Sequence, residues 1–191
     1  MAAASRHPRL RRAGAVVLAL VVAAGGIVGL IAFFATRDTS TFKEVRGPGR
    51  ELPDQGAARL APGALRPRYN SDPPTSGPHA SAPVSRDDVA LSDDQILTAL
   101  QTGNVVLVYS DRRLRRPLRR LADDVAGPFQ PALAAAGQAV ILDFDGTPRR
   151  AGVTAAAWRH LLDARSPTDP ALRDFVDFWL GRGRAGAGGA G

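Results

Sequence analysis

Histidine is the side chain best suited to exchanging a proton or binding a metal near neutral pH, and this chain of 191 residues has three of them, His7, His79 and His160. His79 closes the stretch Tyr69 to His79, which reads Tyr-Asn-Ser-Asp-Pro-Pro-Thr-Ser-Gly-Pro-His. Pro73 and Pro74 fix their own φ at about −65° and push Asp72 and Pro73 towards extended geometry. Ser76-Gly77-Pro78 then makes a turn. The product is a stiff arm that delivers His79 to a fixed place, as a loop ligand or a general base is delivered. Asp72, Ser76 and, further on, Tyr109 are the polar groups grouped with His79 as candidate ligand-binding residues. The same local chemistry suits a rigid strap packed on a domain with His79 hydrogen-bonded at its end, and one imidazole without partners favours the strap.

Two further clusters carry charge. Arg112, Arg113, Arg115, Arg116, Arg119 and Arg120 fall within nine residues, partly balanced by Asp123 and Asp124. Their plain reading is the solvated side of a helix with some ion pairs; the sharper one is a patch for an anion or an acidic lipid, with Arg112, Arg113, Arg116 and Arg120 as its candidates. Val140-Ile141-Leu142-Asp143-Phe144-Asp145-Gly146-Thr147 looks like the nucleophile motif of the haloacid-dehalogenase superfamily, whose first aspartate attacks and whose second acts as acid and base. That chemistry needs a later lysine and further acidic residues for magnesium. Only 46 residues follow Asp145, and the sole lysine, Lys43, precedes it. The segment is therefore read as a strand and an Asp-Gly turn, and no catalytic residue is expected.

The rest of the chain must position these groups. With no cysteine, disulfides, zinc-thiolate sites and thiol chemistry are excluded. The net charge of +7 owes 4 to Arg6, Arg9, Arg11 and Arg12, so the remainder of about +3 gives no support to nucleic-acid binding. Residues 13–36 hold no charge in 24 residues, enough for a membrane-spanning helix and too long for a signal-peptide core. The four preceding arginines place residues 1–12 in the cytoplasm and the bulk of the chain outside. Residues 37–68, broken by Gly47-Pro48-Gly49, Leu52-Pro53-Asp54 and Ala61-Pro62-Gly63, read as an irregular, flexible stalk. Residues 69–183 form the extracytoplasmic domain, and the Gly/Ala-rich residues 184–191 a disordered tail.

Inside that domain, Ser92-Asp93-Asp94-Gln95 is a capping box ahead of Ile96, Leu97 and Leu100, and Gly103 ends the helix. Val105 to Tyr109 is a strand buried on both faces. Leu114, Leu118, Leu121, Ala122 and Val125 recur at helical spacing, with the regular helix starting at Pro117. Pro131 to Ala136 makes a short helix and Ala139 to Phe144 a second buried strand. Residues 152–162 fit a strand or a helix. Pro170 opens a last helix striped by Leu172, Phe175, Val176, Trp179 and Leu180. The architecture expected is α/β or α+β, a small mixed sheet flanked by helices.

Asp72-Pro73-Pro74-Thr75-Ser76-Gly77-Pro78-His79, followed by Leu100, Gly103-Asn104-Val105-Val106 to Tyr109, Val140-Ile141-Leu142, Thr154 to Trp158 and the Phe175 helix, resembles the domain of unknown function 3105 family. The likeness covers about residues 69–182 of a family of uncharacterised bacterial membrane-anchored proteins. Its members usually carry a His-x-Leu-Glu-His-Gly segment before the first strand, which together with the strap histidine would suit zinc, copper or iron. Here those positions read Thr98-Ala99-Leu100-Gln101-Thr102-Gly103, which leaves His79 the remaining metal-ligand candidate and His160 a distant substitute.

The resulting expectation is a membrane-anchored binding or accessory protein of the bacterial envelope, without catalysis or a cofactor, whose partner is an envelope protein or an anionic ligand. A metal-binding protein using His79 is the alternative. Binding of anionic lipid or polymer through the Arg112 to Arg120 helix is the third.

Overall fold

A computed structural model describes residues 47–61, 63–146 and 151–184. The chain divides into two compact units, and these residues belong to the second, Arg46–Gly191. Residues 1–46, including the apolar run 13–36, lie outside the described residues, as do 185–191. Among the described residues no helix is long and apolar enough to cross a membrane.

Ten residues of regular helix, α1 (Asp93–Thr102), follow the expected capping box: Ser92 Oγ accepts from Gln95 N while the Gln95 side chain accepts from Ser92 N. Gly103, at φ 117°, closes the helix. Strand β2 (Val105–Tyr109) leads through a 3₁₀ turn into α2 (Arg115–Ala126), short α3 (Pro131–Ala135) and β3 (Val140–Phe144). Helix α2 starts at Arg115 and not at Pro117, because Asp111 caps the 3₁₀ turn through Arg113 N and hands on a helical backbone in which Pro117 still falls within the first turn. Strands β4 (Val153–Ala157) and β5 (His160–Ala164) settle residues 152–162 as a hairpin, and α4 (Pro170–Trp179) ends the fold.

With β1 (Arg50–Glu51), the sheet runs β1-β5-β4-β2-β3; β2 and β3 are parallel and every other neighbouring pair is antiparallel. The fold is therefore a mixed five-stranded α/β sheet. Residues of β2 alternate between its faces. Val105, Leu107 and Tyr109 pack with Leu118 and Leu121 of α2 and Leu172, Phe175 and Trp179 of α4, whereas Val106 packs with Ile96, Leu97 and Leu100 of α1 and Ala134 of α3. The strand read as buried on both faces is so because each face has its own helical layer.

The flexible stalk expected over residues 37–68 is corrected along its described part. Leu52 is buried in the α1 layer, β1 pairs with β5, and Trp179 Nε1 donates to Pro48 O at 2.9 Å. Burying one leucine contributes about 1.5–3 kcal/mol, enough to hold an otherwise irregular segment down. The segment lacks the period of a helix or a long strand, so its attachment left no pattern in the sequence.

Candidate functional site

The stretch Tyr69 to His79 is a clasp between the seated segment and the β4–β5 hairpin. Pro73, Pro74, Thr75, Ser76 and Gly77 are all buried. Ser76 Oγ accepts from Gln55 N at 3.0 Å, Gly77 N donates to Gly56 O at 2.7 Å, and Arg159 N, in the hairpin turn, donates to Thr75 O at 3.0 Å. Tyr69 OH donates to Pro78 O at 2.8 Å, and its ring closes over Gly77, whose φ of 137° and lack of Cβ permit that approach. Ser76 is thus consumed by backbone partners, and Asp72 remains at the exposed rim, where its charge contributes to raising the pKa of Asp93, after burial.

His79 is only 4% exposed. Its backbone pairs with the segment as a parallel bridge to Arg59: His79 N donates to Ala58 O and Leu60 N donates to His79 O, both at 3.0 Å. Bridge partners project to the same side, so the Arg59 and His79 side chains leave the backbone together and line one cavity. The ring Nδ1 lies 2.8 Å from Gly77 O, and because a carbonyl only accepts, Nδ1 carries a proton; in the neutral ring Nε2 then holds the lone pair. Thr98 and Gln101, three residues apart on one face of α1, complete the wall of a cavity of about 70 Å³ together with Ala57, Arg59, Ser81 and His79. The Thr98 hydroxyl is already spent, accepting from Ala82 N at 3.1 Å and donating to Ala80 O at 3.4 Å.

Tyr109, grouped with His79 in the sequence, faces the opposite layer of the sheet and belongs elsewhere. Its hydroxyl donates to Asp88, and burial first, then that hydrogen bond, pushes its pKa up. The other Asp88 oxygen pairs with Arg115, and Arg119 forks onto Asp87 at 2.8 and 3.1 Å. Asp87 and Asp88 carried no local signal, since their partners lie 21 to 32 positions away along the chain. Among the described residues, Arg113, Arg116 and Arg120 of the anion-site candidates carry no ion pair, and Arg112 lies over the Phe144 ring at 5.0 Å. Arg115 and Arg119 are occupied as internal clamps, which leaves Arg112, Arg113, Arg116 and Arg120 of the cluster of six.

The aspartate motif is structural at its first residue. Asp143 is buried and accepts from Leu91 N at 3.0 Å, tying the segment before α1 to the outer edge of β3, where Val89 forms a bridge. Burial raises its pKa to about 6 against the lowering effect of that hydrogen bond. His160 is likewise inside the fold, its ring stacked on Trp179 at 3.8 Å, its Nδ1 on Trp158 O at 2.8 Å and its pKa lowered by burial. It does not join His79.

A family model, Protein of unknown function (DUF3105), matches residues 65–188. The chain belongs to that family. No curated protein and no solved structure matches it. The DUF3105 match starts at residue 65, while the fold reaches back to Gly47 through β1 and Leu52. Two of the three positions at which the resemblance implies metal ligands, Thr98 and Gln101, do stand beside His79; the third, Thr102, turns its hydroxyl onto Ala99 O at 2.8 Å. A hydroxyl already paired, a neutral amide and a guanidinium around one imidazole do not suit a divalent cation. Among the described residues no three His, Cys, Asp or Glu side chains stand close enough to hold one.

Proposed function

We propose that this DUF3105 protein is a membrane-anchored binding or accessory protein of the bacterial envelope, without catalytic activity, held by residues 13–36 with its N-terminus in the cytoplasm and residues 47–184 outside. The observation that supports a binding role is the His79 cavity. It offers an imidazole nitrogen, a guanidinium and an amide to a ligand. The 24 uncharged residues and the arginines before them support the anchor and its orientation.

Full-length protein purified in detergent is expected to contain less than about a tenth of an equivalent of zinc, copper or iron by elemental analysis. One equivalent, lost in His79→Ala, would replace this reading with a metalloprotein. Protease added to spheroplasts is expected to digest the C-terminal domain without lysis; protection of the domain until lysis would refute the orientation.

A further inference from the structure

The groups around His79 differ in what they still have to give. Thr98 is satisfied, but the side chains of Arg59, Ser81 and Gln101 have no partner among the described residues, and all three line the cavity with the imidazole. No carboxylate lines it. Asp94, the buried acid of α1, is held by Arg66 and by Ala80 N at 3.2 Å. The negative end of α1 is covered too, since Ala99 O accepts from the Thr102 hydroxyl, from Asn104 N and from Asn104 Nδ2. An uncompensated cation and a free amide therefore line a space of about 70 Å³, room for several waters. That size admits a small ion.

The imidazole narrows the class. Because Gly77 O requires the Nδ1 proton, Nε2 of the neutral ring accepts and does not donate. A ligand that satisfies the whole wall thus brings anionic oxygens for Arg59 and Gln101 and a hydroxyl for Nε2. We propose that the cavity formed by Arg59, His79, Ser81 and Gln101 binds a small oxyanion that carries a hydroxyl, with hydrogen phosphate its simplest form. Hydrogen phosphate keeps an O–H at neutral pH; sulfate and acetate have none to give. Arg59 supplies charge and Gln101 an N–H, while the bridge between residues 59 and 79 keeps cation and acceptor side by side. This inference rests on the binding-protein reading above.

Calorimetric titration of the full-length protein in detergent at pH 7.5 tests it, with sodium phosphate as the probe and sodium sulfate and acetate in parallel. Phosphate is expected to bind near one equivalent and sulfate and acetate at least about tenfold more weakly. Arg59→Gln, an exposed position, should weaken phosphate about tenfold or more by removing a charge-assisted hydrogen bond, with an unchanged melting temperature as the check on folding. Arg116→Gln/Arg120→Gln should leave phosphate binding unaltered. No heat with phosphate, an unaffected Arg59→Gln, or loss in the helix variant instead would each overturn the site; equal affinity for sulfate would overturn the acceptor role of His79. None of these failures touches the metal and topology tests of the broader reading, and bound metal would sink that reading whatever phosphate does.

Discussion

Asp143 shows how one side chain can carry a motif's outline and a different job. Its carboxyl is buried, so the folded pKa of about 6 lies above the ordinary value of 3.8. A group raised in this way contributes stability that is fully present below pH 3.8 and is lost as the pH rises through 6. Asp143→Asn, which keeps an oxygen for Leu91 N without the charge, is expected to gain on the wild type by about 1–3 kcal/mol between pH 4 and pH 7. Urea denaturation at the two pH values measures this, and a constant difference would deny the burial argument. Asn104 is the opposite case, a buried amide with every group used: Nδ2 donates to Ala134 O at 2.7 Å and Oδ1 accepts from Ala139 N at 2.9 Å. Asn104→Ala leaves those backbone groups stranded and should cost about 2–4 kcal/mol in the same assay.

Between elements, the tightest join is where the end of α1 meets the turn after α3. Gly137 has φ 72°, and a Cβ there would stand 2.0 Å from Thr102 O. Gly127, after α2, has nearly the same φ of 74° but nothing within 4 Å. Gly127→Ala should therefore cost about 1 kcal/mol, for backbone strain alone, and Gly137→Ala about 2 kcal/mol more, because both contacting groups are backbone and neither can swing aside. Comparable losses of melting temperature in the two variants would show that α1 and α3 yield more easily than the packing implies. Helix α2 is joined to the fold by its arginines as well as its leucines. Removing the forked pair by Arg119→Ala is expected to cost about 1 kcal/mol, less in high salt, since the guanidinium is partly exposed.

At the scale of the whole molecule, the clasp makes the segment before it part of the domain. A chain beginning at Tyr69 would lack the β1 edge, Leu52, the partner of Trp179 and the whole Ala57–Arg59 wall of the cavity. It is expected to lose at least about 3 kcal/mol, mostly from the buried leucine and the stranded backbone groups of residues 76–79. A chain beginning at Gly47 should unfold at the denaturant concentration of the full-length protein, and equal midpoints for both truncations would return residues 47–68 to the role of a free tether.

The sequence by itself determined whatever depends on near neighbours. The capping box of α1, the two strands buried on both faces, the apolar stripe of α4 and the family-bearing strap were all legible because caps, period and proline geometry act within a few residues. Tertiary structure alone decided the rest. The hairpin at residues 153–164 needs Arg159 at a φ of 64°, which no turn residue announces. Asp87 and Asp88 meet their arginines, and Tyr109 parts from His79, only once the sheet stands between its two layers of helices. Arg59 and Gln101 were ordinary polar residues until a backbone bridge and a helical face brought them to the same imidazole. Such meetings join residues twenty or more positions apart, and local chemistry holds no record of them.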